Sequence, residues 1–449
     1  MGYGLLACLY SLWCVFYVFK LKSCSPLYSL VLVSLPRVDV VVYNIGELVT
    51  FAGGPLGRVS LDRVYVLRDA GVAIRDGVFV AVGRSGDVRF RFDGFMVDAG
   101  GFMASPGLVD PHTHLVFAGS REDEFELKLS GVSYSEILAR GGGIYRTVRA
   151  TRASGFEELL SRASRVLSLM LDHGTTVVEV KSGYALDLEG EVRMLEVARR
   201  LGEVSPALVI PTLLAHVPPL EYKGRVSDYA RWFAETLVPE VSRGGLAVYV
   251  DVFCDRGAFD AAESRMILEA GLKHGLRARM HADQLSYIGC SRLAGELELD
   301  SLDHLERMPG ENAGVLAERG VTATLLPTSM MAMMDPARPP VAKLREAGAT
   351  IAIGSDYNPN NMTPLQQTAM DIAPYILQLT PLEALAAATI NAAKSLNIHD
   401  RVGAVKEGYR ADLVVWDMEN YKWIGYTWGY NKTLVVIAGG RIVKKKDLR

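Results

Sequence analysis

The chain is short of cysteine and carries no concentrated positive charge. Its five cysteines, at positions 8, 14, 24, 254 and 290, are odd in number and form no CxxC pair. That argues against both a cysteine zinc site and a disulfide framework, and leaves free thiols in a reducing compartment as the expectation. Lys and Arg number 48 against 51 Asp and Glu, a formal charge of −3. No basic block is large enough to cover a face, so a nucleic-acid partner is not expected. Charge is missing altogether from "GYGLLACLYSLWCVFYVF", residues 2–19. Eighteen apolar or small residues just reach the length of a membrane span. Lys20 and Lys22 follow the stretch, whereas a secretory signal carries its positive charge in front. Three readings stay open for residues 1–36: a start placed too far upstream, with the true one at Val31, Val33 or Leu35; a reversed anchor; or a cleaved signal. The reversed anchor leaves the remaining chain cytoplasmic by the positive-inside rule. A cytoplasmic location is the expectation, with membrane contact only if the apolar segment is real.

What is present begins at "RVDVVVYN". A chain of 449 residues is long enough for two or three domains, or for one α/β barrel of about 250 residues with a smaller partner. Residues 37–105 read as short strands between Gly and Asp turns, in "VDVVVYN", "VAIRDGVFVAVG" and "GFMVDAGG". The same texture returns at 400–449 in "GYRADLVVWDM" and "TLVVIAGGRIVK". Both chain ends are therefore expected to build one small β-sandwich domain. The middle, 106–399, alternates strands and amphipathic helices. Strand candidates are 107–115, 175–184, 207–217, 247–254, 277–283, 299–305, 321–329 and 350–356, with helix patterns such as "GFEELLSRASRVLSLMLDHG" between them. Eight strands with intervening helices are the count of a (β/α)8 TIM-like barrel. A doubly wound sheet is the runner-up fold.

Chemistry-bearing residues gather at the ends of these strands. His112 and His114 lie on the first, Lys181 and Tyr184 on the second, His216 on the third, His281 on the fifth, His304 on the sixth and Asp356 on the eighth. In a barrel these ends form one rim, where active sites are built. Five of the eight histidines fall there; His173, His274 and His399 instead sit at helix ends. His112 and His114, i and i+2 on a strand, share a face and can bind one ion. With His281 and Asp356 they make three imidazoles and a carboxylate, a set that suits one divalent ion, Zn²⁺ or Fe²⁺. Such an ion lowers the pKa of a bound water toward about 7. His304, in "LDSLDHLE", is placed to orient that water or carry its proton.

The motifs "DPHTHLVFAGSREDEF", "GGGI", "EVKSGYAL", "LLAHVPPLEY", "HADQ", "DHLE", "GSDYNP" and "GAVKEGYRADLVVWD" resemble, in order, the imidazolonepropionases of the amidohydrolase superfamily. The resemblance runs from about residue 38 to the C-terminus. It implies hydrolysis of the ring amide of 4-imidazolone-5-propanoate, giving N-formimidoyl-L-glutamate in histidine degradation. It also implies metal ligation by His112, His114, His281 and Asp356, with His304 and Asp356 as the catalytic pair. Arg121 matches the arginine that grips the substrate's propionate, as suits a bidentate fork facing a small anion. Tyr184, His216 and Asn358 match further substrate contacts, Gln284 is placed to hydrogen-bond the ring or the water, and Asn360 and Asn361 fall in the same substrate loop. Tyr134 reads as either a ligand contact or a core aromatic, and glycines 141–143 as either a close approach to ligand or a flexible turn.

Three residues at two places depart from the family's pattern. Gln284 stands where some relatives have glutamate, and glutamine cannot act as a base, so proton handling falls to His304 and Asp356. Asn360 and Asn361 replace an expected Gly followed by Ser or Thr, and asparagine tolerates left-handed backbone better than most residues. Lys181 raises the carbamylated lysine of two-metal relatives, but the resemblance makes it a supporting residue. A homodimer is the general expectation for such an enzyme. The rivals are another cyclic amidohydrolase or a deaminase, and a membrane-tethered metal- or ligand-binding protein. Arg121, Tyr184 and His216 together favour an anionic ring substrate.

Overall fold

The computed structural model describes residues 35–57, 64–132, 136 and 142–446. The apolar stretch 2–19, Cys8, Cys14, Cys24, Tyr134 and Gly141 lie outside them. Among the described residues no helix is long and apolar enough to cross a membrane.

Strands from both chain ends form one mixed sheet. The N-terminal set is β1 (Arg37–Thr50), β2 (Tyr65–Arg75), β3 (Val78–Arg84), β4 (Asp93–Asp98) and β5 (Met103–Pro106). The C-terminal set, β14 (Leu413–Trp416), β15 (Thr433–Ala438) and β16 (Arg441–Lys445), joins it through antiparallel pairing of β14 with β5. The long β1 makes the middle of this sheet. Its first half pairs in parallel with β4, its second half with β5, and a register shift between Val42 and Ile45 separates the two. Inward residues of both ends, among them Val42, Ile45, Val72, Leu413 and Ile437, share one apolar core.

The second sheet is a nearly closed, parallel barrel of eight strands in sequential order. It comprises β6 (Leu108–Asp110), β7 (Thr175–Lys181), β8 (Leu208–Ala215), β9 (Tyr249–Cys254), β10 (Arg277–Ala282), β11 (Leu299–His304), β12 (Thr322–Leu325) and β13 (Ile351–Ile353). All but β8, which is partly exposed over its first half, are buried along nearly their whole length, as a sheet covered by helices requires. The fold is therefore the expected barrel, not a doubly wound sheet. Gly107 marks the passage from β5 into β6. A Cβ there would sit 2.2 Å from Thr176 Oγ1, so the crossing requires a residue without a side chain.

Several predicted strands stop short. The first ends at Asp110 rather than running to residue 115, because Pro111 has no N–H to continue the ladder. The chain stays extended all the same, and Thr113 bridges Tyr357 across the seam between β6 and β13. The last strand ends at Ile353, three residues before Asp356. The seam itself is finished by a side chain: Gln366 Nε2 donates to Val109 O at 2.8 Å and to Ile353 O at 2.6 Å.

The cysteine expectation needs correction. Cys254 and Cys290 form a disulfide, with Cα atoms 5.9 Å apart. Cys254 ends β9 and Cys290 follows β10, its parallel neighbour. Strand pairing, not sequence spacing, brings the two together.

Candidate active site

The carboxyl ends of the barrel strands gather His112, His114, Tyr184, His216, His281, His304 and Asp356 into one buried cluster. His112 and His281 ring centroids are 4.5 Å apart, His112 and His114 5.5 Å, and His281 and His304 5.4 Å. Asp356 Oδ1 lies 3.6 Å from Nε2 of both His112 and His114. Two overlapping groups could hold a metal ion: His112, His114 and Asp356, and His112, His281 and His304.

The extended backbone that closes the barrel also aims these groups. His114 N donates to Tyr357 O at 2.8 Å, and Asp356 N to His112 O at 3.0 Å. Ligand candidates from the first and last strands are thus locked to each other. Asp110 Oδ1 accepts from Ser355 N at 3.1 Å, a second tie across the seam. Asp356, Asp283, His304 and Leu305 all adopt left-handed backbone, with φ of 48°, 53°, 78° and 72°. Strain of this kind, on the order of 1–3 kcal/mol per residue, concentrates at functional sites.

The imidazoles are oriented from below. His112 Nδ1 donates to Asp303 Oδ2 at 2.6 Å, and His281 Nδ1 lies 3.0 Å from Asp251 Oδ2. A carboxylate acceptor fixes the proton on Nδ1 and leaves Nε2 bare. Accordingly, Nε2 of both His112 and His281 is buried with no hydrogen-bond partner. Burying such lone pairs unsatisfied is costly, and a divalent ion is the group that would use them. Burial and the nearby Lys181 charge hold His112 well below the usual imidazole range, and burial with His216 does the same for His114. Both rings are therefore neutral, as metal ligation needs. The donor set fits the implied ion.

Beneath these histidines the barrel interior is charged. Lys181 Nζ contacts Glu179 Oε1 at 2.9 Å and Asp251 Oδ2 at 2.8 Å, and Arg279 Nη2 donates to Asp303 Oδ2 at 2.6 Å. All five side chains are fully buried. Lys181 is thus spent on an ion-pair network, and its ammonium supports the carboxylates that hold His112 and His281. The sequence reading placed Lys181 but missed Glu179, Asp251, Arg279 and Asp303. A signal existed for two of them, since Glu179 with Lys181 and Arg279 with His281 are i, i+2 polar pairs that share one face of their strands.

His216 stacks on His114, with centroids 5.3 Å apart, and Tyr184 lies 5.1 Å from His216. His216 Nδ1 donates to Gly183 O at 3.2 Å. Burial, then His281, push its pKa down to about 3 against the pull of that carbonyl, with Arg121 also contributing. The ring is neutral, with Nε2 left as an acceptor. Arg121 starts the helix Glu122–Leu129 and is only 7% exposed. It ion-pairs with none of the described residues, and its Nε has no partner. The acidic neighbours do not hold it: Asp123 pairs with Arg146, and Glu124 accepts from Gly143 N at 2.8 Å.

The asparagine loop folds onto Asp356. Asn358 Nδ2 donates to Asp356 Oδ1 at 2.8 Å, while its Oδ1 accepts from the backbone N of Asn360 and Asn361. Asn361 Nδ2 donates to Ser355 O and Asp356 O. Asn360 Oδ1 accepts from Lys128 Nζ at 2.9 Å, tying this loop to the Arg121 helix. Neither Asn360 nor Asn361 is left-handed; the turn places that conformation at Asp356 instead. Gln284, beyond the end of β10, is half-buried.

A barrel carrying a histidine and aspartate cluster at its carboxyl rim is the architecture of the amidohydrolases, and the Amidohydrolase family model matches residues 103–443. Among solved structures, an adenosine deaminase from Xanthomonas campestris aligns at TM-score 0.65 and 20% identity, over 93% of this chain and 96% of its own. E. coli guanine deaminase aligns at TM-score 0.70 and 15% identity, over 91% and 100%. At those identities the likeness is one of fold. Closer in sequence, imidazolonepropionase of Pyrobaculum arsenaticum is 45% identical over 84% of this chain and 93% of its own. That of Geobacillus thermodenitrificans is 42% identical over 88% and 96%. The chain belongs to the amidohydrolase family and, within it, to the imidazolonepropionases.

Proposed function

We propose that this protein hydrolyses the ring amide of 4-imidazolone-5-propanoate to N-formimidoyl-L-glutamate, the step that opens the ring in histidine degradation. The observation that carries the reading is Arg121: a buried guanidinium, ion-paired with none of the described residues, close enough to His216 to bear on its protonation. A substrate with a propionate arm supplies the missing carboxylate, and a neutral heterocycle does not.

His112, His114, His281 and Asp356 would hold one divalent ion, Zn²⁺ or Fe²⁺, which would supply Lewis acidity to lower the pKa of water and offset charge on the carbonyl oxygen. The chain's own groups do the rest. Arg121 anchors the propionate in a bidentate contact. Tyr184 and His216 form the wall against which the ring lies, with the neutral His216 able to accept a ring N–H. Gln284 and the loop of Asn358, Asn360 and Asn361 line the remaining sides. Asp356, steadied by Asn358, orients the attacking water. His304 takes its proton and returns one to the ring nitrogen as the C–N bond breaks.

The test is turnover of freshly prepared 4-imidazolone-5-propanoate, followed by loss of ring absorbance. Activity should require a divalent ion and fall about 10³-fold in Asp356→Ala. Arg121→Ala should raise KM roughly 30-fold, about 2 kcal/mol for a charged hydrogen bond, with kcat changed much less. A folded, metal-loaded protein that ignores this substrate while deaminating a neutral ring would refute the assignment.

A further inference from the structure

Glu306 lies two residues past His304, just beyond the end of β11. Its side chain is 8% exposed, and Oε1 stands 3.4 Å from His304 Nδ1. Its other oxygen, Oε2, is buried without a hydrogen-bond partner. The adjacent cation does not neutralise it, because Arg307 pairs outward with Asp335. A buried carboxylate with one oxygen unpaired is costly, so a structural role alone accounts poorly for it.

The backbone between the two residues is equally unusual. His304 and Leu305 are consecutive left-handed residues, with φ of 78° and 72°, and neither is glycine. The turn is pinned by Leu305 N to Ala282 O at 3.1 Å and Arg307 N to Asp283 O at 2.7 Å. This strained turn presents the Glu306 carboxylate to the His304 ring.

We propose that Glu306 is a positioning residue for His304: by accepting a hydrogen bond from Nδ1–H it fixes the ring's orientation and leaves Nε2 as the nitrogen that exchanges protons with the substrate. It thereby places beside the proton-transfer group a carboxylate, which Gln284 cannot supply. The inference rests on the hydrolysis proposed above. In that reaction one proton passes from water to His304 Nε2 and then to the departing ring nitrogen, and Glu306 keeps its own protonation state throughout.

The experiment compares zinc-loaded full-length wild type with Glu306→Ala, Glu306→Gln and Glu306→Asp. It measures kcat and KM on 4-imidazolone-5-propanoate, and the His304 tautomer by ¹⁵N NMR of histidine-labelled protein. Glu306→Ala should lower kcat 10- to 100-fold with KM within twofold, and Glu306→Asp should recover part of the loss. His304 should carry its proton on Nδ1 in wild type and become a mixture of tautomers in Glu306→Ala. Unchanged kcat in both the Ala and Gln variants, or an unchanged tautomer in Glu306→Ala, would overturn the proposal. If Glu306→Ala does not fold, the near-isosteric Glu306→Gln decides, with a kcat within twofold of wild type counting against it. Should wild type fail to turn the substrate over, the proposed function falls, while the tautomer still decides the role of Glu306.

Discussion

Asp303 accepts three hydrogen bonds at once. It accepts from His112 at 2.6 Å, from Arg279 at 2.6 Å and from Ser301 Oγ. Its charge keeps the His112 proton on Nδ1 and the metal-facing nitrogen bare. Asp303→Asn preserves the shape but removes the charge and can present an amide N–H to the ring. It should weaken metal affinity about 10- to 100-fold, the usual effect of disturbing a ligand's own hydrogen-bond partner. Competition against a chelator measures this directly, and an unchanged dissociation constant would dismiss the role. At this scale the sequence exposed the histidines and Asp356, because His–x–His, "HADQ" and "GSDYNP" keep their chemistry on display. It hid Asp251, Asp303 and Arg279, since a charged residue within an apolar strand is ambiguous until the strand's facing direction and neighbours are known.

Among the elements, the seam between β6 and β13 is the most economical piece of construction. These strands, three residues each, lack a ladder of their own, and Gln366 supplies both missing donors from one amide. Gln366 opens the helix Gln366–Leu377, so the same contact docks that helix to the barrel. Gln366→Leu keeps the bulk but leaves two buried carbonyls unsatisfied. We expect a loss of about 2–4 kcal/mol, at about 1–2 per group, read as a lower midpoint in urea unfolding with an unchanged slope. Metal affinity should weaken as well, because the seam carries His112 and Asp356. A midpoint equal to wild type would show that the seam does not depend on the amide. The disulfide belongs to this scale too. It ties β9 to the segment after β10, and Asp255 holds the same segment by accepting from Leu285 N at 2.7 Å and Ser286 Oγ at 2.6 Å.

Across the whole molecule, the sheet from the two chain ends and the barrel share packing. Val414, Trp416 and Val436 belong to the same apolar core as the barrel helices. Within the sheet itself, Trp416 Nε1 on β14 donates to Ser105 Oγ on β5 at 2.8 Å. A buried ion pair adds to the joint: Lys432, just before β15, contacts Asp371 on the helix Gln366–Leu377, both essentially without solvent contact. Burial lowers the lysine's pKa and raises the carboxyl's, in each case against the partner's attraction. Burial works against the charged form of each partner and pairing works for it, so each charge depends on the other. Lys432→Met alone should cost about 3–5 kcal/mol by stranding a buried carboxylate. The double variant Lys432→Met/Asp371→Leu should recover most of that. Equal unfolding midpoints for the single and double variants would contradict this account.

The sequence by itself determined the barrel, the small domain drawn from both ends, and the side chains gathered at the strand ends. Strand periodicity and the clustering of histidines at strand ends are local properties, readable one segment at a time. Only the tertiary structure decided where the strands stop, how the barrel closes and what lies behind each imidazole. Pro111 ends β6 early, yet closure continues through Thr113 and Tyr357, partners 244 positions apart. Cys254 meets Cys290 because β9 and β10 are parallel neighbours. Glu306 turns toward His304 because two residues accept left-handed backbone. Each of these depends on pairing between distant strands or on a strained conformation held by surrounding contacts, and neither leaves a periodic mark in the order of the residues.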